Sequence, residues 1–206
     1  MFALVESGSI TKYMSGNRGI TIGDIQYPKS IFTLWSASQR EAIGIYEVEM
    51  DISKKKDEQW YINTNVTYSF GGGKVTGAYG DATAKAHADT LFTAQDETDG
   101  KGTEGEVKSR GLKYNLIQTI KKQAAAELQN TDWYVIRKAD AGTAVPSAIT
   151  THRAAVRTKA AEMETAITNA SDTPALETLY TYVNTADEGD PVVMERPLGE
   201  LPTLEV

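Results

Sequence analysis

Residues 107–128 read VKSRGLKYNLIQTIKKQAAAEL, and this stretch separates two halves of different character. Its apolar positions recur at every fourth residue, at Leu112, Leu116, Ile120, Ala124 and Leu128. This spacing places them on one stripe of an amphipathic helix. The upstream half holds most of the glycines, aromatic residues and β-formers, whereas the downstream half is rich in alanine, lysine and glutamate. The sequence therefore predicts an α+β fold: a small antiparallel β-rich N-terminal module followed by an α-helical C-terminal module.

Residues 1–80 are predicted to form the β-rich module. Pairs of β-forming runs flank glycine-containing turns, at 2–6 with 10–14 and at 66–70 with 74–79. Two such runs around a turn are typical of a β-hairpin. Further short strands are predicted at 20–22, 45–50 and 60–63. Ser36 and Gln39 have the spacing of a capping box, which predicts one or two helical turns that end at Gly44.

Residues 108–186 are predicted to form the helical module, with two more helices after the first. One begins with Pro146 as its first residue and has a stripe at Ile149, Val156, Ala160, Met163 and Ile167. The other has Thr173 as its cap and Pro174 as its first residue, with a stripe at Leu176, Leu179, Tyr180 and Val183. Three such stripes, packed on one another, predict a small helical bundle.

The segments between and after these helices are predicted to be irregular. Residues 81–107 form a linker and acidic loop, although the alanines at 81–94 leave a helix open there. The run 131–136 is short, aromatic and β-branched, so we expect it to be too short for a helix and to bring Trp133 into the core. Residues 187–206, rich in proline and acidic residues, are predicted to be an extended arm, and its part from Pro191 to Val206 is predicted to reach a neighbouring subunit.

The composition bears on several classes of site and partner. The formal net charge of -7 argues against nucleic acid as the main partner, because phosphate binding needs basic patches. We also expect no membrane span, since no run of 18 apolar residues occurs. The absence of cysteine excludes disulfides, thiolate metal sites and cysteine nucleophiles. We therefore expect synthesis in the cytoplasm, without an oxidising step.

Two motifs resemble ligand sites in part. Gly71-Gly72-Gly73-Lys74 resembles a phosphate-binding loop, but Val75 follows the lysine instead of serine or threonine, so a hairpin turn is predicted. The acidic segment 95–106 has the spacing of a calcium loop, but Gln95 stands where an aspartate is needed. A solvated loop is favoured there. We expect no catalytic residues, no cofactor and no metal, and hence not an enzyme, because no base–nucleophile order or selected carboxylate pair is present.

Aromatic and basic residues are the remaining candidates for a functional surface. Tyrosines on sheet faces and tryptophans are common at protein–protein interfaces, and His152 and two arginines give the second helix of this module a small basic face. Trp133 is predicted to be a core anchor by preference and an interface residue otherwise. The interaction candidates are Tyr13, Tyr46, Tyr61, Trp133, His152, Arg153 and Arg157.

One ordered set of motifs carries a family resemblance. A helix ending in Ala124-Ala125-Ala126-Glu127-Leu128 precedes Thr131-Asp132-Trp133, and a proline-started helix with Arg153-Ala154-Ala155-Val156-Arg157 follows. This order, over about residues 115–160, resembles the C-terminal module of tail fibre assembly proteins and related tail assembly chaperones of tailed bacteriophages, of the marine phage type. His152 stands where that family has an aromatic residue before its first arginine.

The resemblance implies a structural protein of the virion tail, such as a baseplate, fibre-attachment or adaptor component. The alternatives are a tail fibre assembly chaperone that is not retained in the virion, and a capsid decoration protein. The implied partners are other phage tail proteins and further copies of the chain, as a homo-oligomer or ring. The implied location is the tail of the virion, after synthesis in the host cytoplasm.

Overall fold

The computed structural model describes residues 1–204, which divide into two compact units, Met1–Thr83 and the chain from Ala84 onward. Strands dominate the first unit and helices the second, so the predicted α+β class is confirmed. Residues 205 and 206, the end of the predicted arm, lie outside the described residues.

The first unit is built on one five-stranded sheet. Its elements are β1 (Phe2–Glu6), β2 (Ser9–Met14), β3 (Ile20–Ile22), β4 (Ile25–Tyr27), α1 (Ile31–Leu34), α2 (Ala37–Glu41), β5 (Ile45–Asp51), β6 (Tyr61–Ile62), β7 (Thr67–Gly71), β8 (Lys74–Ala78) and β9 (Thr83–Ala84). The strand order is β2-β1-β5-β8-β7. Both predicted hairpins are confirmed as antiparallel pairs. The pairing of β5 with β8, however, is parallel, so the sheet is mixed.

One apolar cluster packs this sheet against α1 and β3. Leu4 and Ile45 pack on Ile31 and Phe32 of α1 and on Ile20 of β3. α2 begins at the predicted capping box, in which the side chains of Ser36 and Gln39 bond to each other's backbone N–H. Gly44 follows with φ +81, a conformation that suits glycine. The local signals therefore fix the helix that leads the chain into β5.

The second unit is built around two long helices. Its elements are β10 (Thr90–Leu91), α3 (Ala94–Thr98), β11 (Val107–Ser109), α4 (Leu112–Gln129), α5 (Asp132–Ala141), α6 (Ser147–Asn169), α7 (Thr173–Tyr180), β12 (Val183–Asn184) and β13 (Met194–Glu195). α4 and α6 pack along their lengths. The predicted stripe of α6 is confirmed, since all five of its residues are buried. On α4 the burial is complete only at Ile120 and Ala124.

The starts of the last two helices differ slightly from prediction. Pro146 is the residue before α6 and not its first residue. Asp172, instead of Thr173, caps α7 by accepting a hydrogen bond from the backbone N–H of Ala175. Val183, predicted on the stripe of this helix, lies beyond its end in β12 and is exposed.

Two predictions about the second unit are wrong. Residues 131–136 were expected to be too short for a helix, but they start the ten-residue helix α5, and Trp133 is 49% exposed instead of buried. The residues described from 187 onward are not simply an extended arm. β13 pairs with β12, and Leu198 is only 2% exposed, with its backbone N–H bonded to the carbonyl of Leu179.

The acidic segment contains a capped helix. Thr93 and Asp96 form a reciprocal capping box at the start of α3, and the Lys108 Nζ lies 3.0 Å from the Asp96 carboxylate. The hydrogen bond from the Thr93 backbone N–H, followed by that from Lys108, lowers the pKa of Asp96 from 3.8 to about 2. This carboxylate is therefore bound within its own loop.

We expect Asp96 to contribute to acid unfolding. A carboxyl group whose pKa is depressed by folding stabilises the protein fully above its unfolded pKa, and that stabilisation is lost as the pH falls from 3.8 through about 2. Asp96→Asn should thus be less stable than the parent at neutral pH and lose less stability over this acidic range. Urea unfolding at several pH values measures this, with Glu97→Gln as the matched control. Parallel pH profiles for Asp96→Asn and the parent would contradict the prediction.

Candidate interaction surface

Helix α5 has apolar residues but no buried side chain among its ten residues, all of which the structure describes. Trp133 is 49% exposed, Val135 44% and Ile136 66%. Large apolar residues grouped at the surface are typical of interaction sites. We refer to Trp133, Val135 and Ile136 together as the α5 patch.

The exposure of α5 is informative because a helix of this length is only marginally stable without packing. Helices shorter than about 12–15 residues are marginal in water on their own, and most helices in proteins are stabilised by packing an apolar face. α5 has little of that packing, because its most protected side chains, Tyr134 and Arg137, are only half-buried. Gly142 ends the helix in the left-handed conformation, with φ 68. A partner that covers the α5 patch would supply the missing stabilisation.

Arg153 of α6 fixes the turn that leads into α5. Its guanidinium donates hydrogen bonds to the Leu128 carbonyl oxygen at 2.8 Å and to the Thr131 Oγ1 at 2.6 Å. It also pairs with the Asp132 carboxylate at 2.9 Å. Arg153 and Thr131 are both buried. Because one planar cation holds the end of α4 and the start of α5, the direction in which α5 leaves the bundle is set by α6.

The aromatic residues at the start of α5 are held by stacking. The ring centroids of Trp133 and Tyr134 lie 3.8 Å apart. The Arg137 guanidinium lies 4.6 Å from the Trp133 ring centroid and 5.5 Å from that of Tyr134. Such cation–π contacts order the indole before any partner arrives. A preordered Trp loses less conformational entropy on binding than a free one.

The basic candidates on α6 have different positions. Arg153 is in the junction just described. His152 was expected to be exposed or interfacial, but it is buried, and its Nε2 has no hydrogen-bond partner among the described residues. It is buried because it lies three residues after Ile149 and four before Val156, on the buried side of α6. Arg157 is exposed and bonds weakly, at 3.5 Å, to the Arg153 carbonyl.

The tyrosine candidates of the first unit also differ from one another in exposure and in ring contacts. Tyr61 is only 6% exposed, so it is a core residue and not an interface candidate. Tyr13 is 49% exposed, and its ring centroid lies 4.9 Å from that of Tyr68 on the opposite edge strand. Tyr46, half-buried, stacks on Phe70 at 4.9 Å. The contact between Tyr13 and Tyr68 joins the two edge strands, β2 and β7, and shows that the sheet is curled.

Several residues of the surface were not anticipated. Val135 and Ile136 were treated as part of a run too short for a helix. Leu128 was predicted on the α4 stripe and Thr131-Asp132 as part of the family motif, but their contacts with Arg153 were not predicted. The signals were present, since Asp132 lies in the first turn, Lys138 lies in the last turn and Gly142 follows, as at the ends of many helices. Those end signals outweighed the β-branched residues between them.

Within residues 1–204, no three His, Asp or Glu side chains come together in a way that could hold a metal ion. None of the helices described there is long and apolar enough to span a membrane. One concavity of the first unit, of about 190 Å³, is lined by residues 12–20. The grooves along α6 are open and lined mainly by alanine and threonine.

Comparison with known proteins gave no match: no protein-family model fits the chain, and no curated protein or solved structure is significantly similar to it. The resemblance over residues 115–160 therefore depends on the motifs themselves. The structure places two of those motifs in contact, since Thr131-Asp132 and Arg153 form the junction between α4, α5 and α6.

Proposed function

We propose that this chain is a structural component of a bacteriophage tail that acts by binding other proteins. The observation that carries the proposal is α5, a short helix with an exposed Trp, Val and Ile and no buried side chain of its own. Trp, Tyr and Arg contribute most of the binding energy in many interfaces, and all three occur in α5. The resemblance to tail assembly proteins includes this segment and supplies the phage context.

The proposal includes a role for rigidity. The Arg153 junction fixes where α5 leaves the bundle, and the Arg137 stacking fixes the Trp133 side chain. A partner therefore meets a preformed helix end with an ordered indole, and little of its binding energy is lost to ordering the site. A component that must be built into a particle in one orientation needs such a surface.

Mass spectrometry of gradient-purified particles of the encoding phage tests this proposal. With copy number calibrated against the major capsid protein, we expect a small fixed multiple of three or six, as in symmetric tail parts. Absence from particles together with abundance in the lysate would overturn the proposal in favour of an assembly chaperone. Copy numbers on the order of hundreds would overturn it in favour of a capsid decoration or tail-tube protein.

The same assay links the function to the α5 patch. Trp133→Ala truncates a side chain that is about half exposed, so the free energy of unfolding of the variant should stay within about 1 kcal/mol of the parent. Its copy number in particles should fall at least about tenfold, the effect of losing an interface hot spot. Leu34→Ala, at a site 79% exposed in the first unit, is the matched control and should be incorporated normally. Normal incorporation of Trp133→Ala would separate the α5 patch from assembly.

A further inference from the structure

We infer that the α5 patch pairs with the same patch of a second copy of this chain, with the two helices antiparallel about a twofold axis near Val135. The inference names the first partner of the surface and so rests on the proposed function. It follows from three properties of α5: its exposed apolar residues, the order of its charges and their sum.

The apolar residues of α5 suit close packing of two helices. Val135, Ile136 and Ala139 follow Asp132 at spacings of three, four and seven residues, so they share one side of the helix. All three are small or β-branched, which lets the helix axes approach to about 8–10 Å. Trp133, one turn before Ile136, lies at the edge of this face and would cover its margin.

The order of charges selects the antiparallel orientation. Asp132 lies near the N-terminus of α5 and Lys138 six residues later, a rise of about 9 Å. In an antiparallel pair centred on Val135, Lys138 of each copy is level with Asp132 of the other. A parallel pair would instead place Asp132 beside Asp132 and Lys138 beside Lys138. Although Asp132 already pairs with Arg153, its side chain remains 51% exposed and accessible to a second cation.

The charges of α5 sum to zero, so the helix itself adds no electrostatic repulsion to self-association. The whole chain has a net charge of -7, which opposes the approach of two copies. α5, however, has two acidic residues, Asp132 and Asp140, and two basic ones, Arg137 and Lys138, so its own charges cancel. A second α5 therefore meets a neutral apolar surface with opposite charges at its two ends. A contact of this size is at the low end of specific interfaces, so we expect a dissociation constant on the order of micromolar.

Cysteine cross-linking of the purified full chain tests the pairing, because the natural sequence has no cysteine. Val135→Cys places one thiol near the proposed twofold axis, where helix axes about 8–10 Å apart bring the two Cα atoms within disulfide range. Under mild oxidation, each disulfide formed from two thiols releases two protons and two electrons to the added oxidant. We expect a covalent dimer to form at least about tenfold faster than for Ala125→Cys, an exposed site on α4.

Two further variants test the geometry. Ile136→Glu added to Val135→Cys should slow the cross-link to the rate of the Ala125→Cys control. Lys138→Glu should slow it as well, whereas Lys122→Glu on α4 should not. Equal rates for Val135→Cys and Ala125→Cys would overturn the pairing. If the pairing fails but the chain is found in particles, the proposed function stands with a different partner. If the chain cross-links but is absent from particles, the pairing stands and only the tail function fails.

Discussion

Replacing Arg153 by alanine is expected to lower the free energy of unfolding by about 2–4 kcal/mol. The buried guanidinium satisfies the Leu128 carbonyl and the Thr131 hydroxyl, and it pairs with Asp132. Without it, the Leu128 carbonyl and the Thr131 hydroxyl each lose one hydrogen bond and keep the one between them, at 2.9 Å. Asp132 loses its cation, and α5 loses its attachment to α6. Chemical denaturation followed by circular dichroism measures the change.

Arg157→Ala is the matched control, because Arg157 lies one turn later on the same helix and is exposed. We expect its free energy of unfolding to stay within about 0.5 kcal/mol of the parent. Arg153→Lys adds a second comparison, since lysine keeps the charge but not the planar array of donors. Equal stability of the Arg153→Ala and Arg157→Ala variants would show that the junction contributes little.

Leu198→Ala is expected to destabilise the second unit by about 2–5 kcal/mol, the usual cost of truncating a fully buried leucine. Leu198 is 2% exposed, and its backbone N–H bonds to the carbonyl of Leu179 at the end of α7. Nearby, Arg196 pairs with Glu200 at 2.7 Å and stacks on Tyr180 at 5.3 Å. Thermal and urea unfolding of the variant check the prediction.

Val192→Ala is the matched control in the same tail, since Val192 is 70% exposed. Its effect should be within about 0.5 kcal/mol. Removal of the tail from residue 187 should then destabilise the unit instead of leaving it intact. If Leu198→Ala and Val192→Ala have the same small effect, the tail is an independent arm after all.

The sequence predicted elements whose signals are local. The stripe on α6, the capping box before α2 and both glycine hairpins follow from spacing along the chain, and each is confirmed. The parallel pairing of β5 with β8 was not predicted, because residues 52–73 separate the two strands and no turn signal relates them. Non-local pairing depends on which sheet edge is free when the chain returns.

The candidate surface was predicted less well because burial is a property of tertiary structure. Trp133, Val135 and Ile136 look the same in a buried strand and on an exposed helix, and here the helix-end signals prevail while the packing is missing. Leu198 presents the opposite case. One leucine among prolines and acidic residues gives little local indication of burial. The chain nevertheless folds back, buries this side chain and bonds its backbone N–H to Leu179 of α7.

The parallel pair β5 and β8 has a consequence for how the first unit folds. Its two hairpins close through turns of a few residues and can form on a microsecond timescale. Joining β5 to β8 requires closure of the intervening 22-residue loop, and the entropy of that closure is lost before any contact repays it. We therefore expect the hairpins β1–β2 and β7–β8 to form early. The pairing of β5 with β8, which joins the β1–β5 side of the sheet to the second hairpin, is expected to form late and to limit the folding rate of this unit.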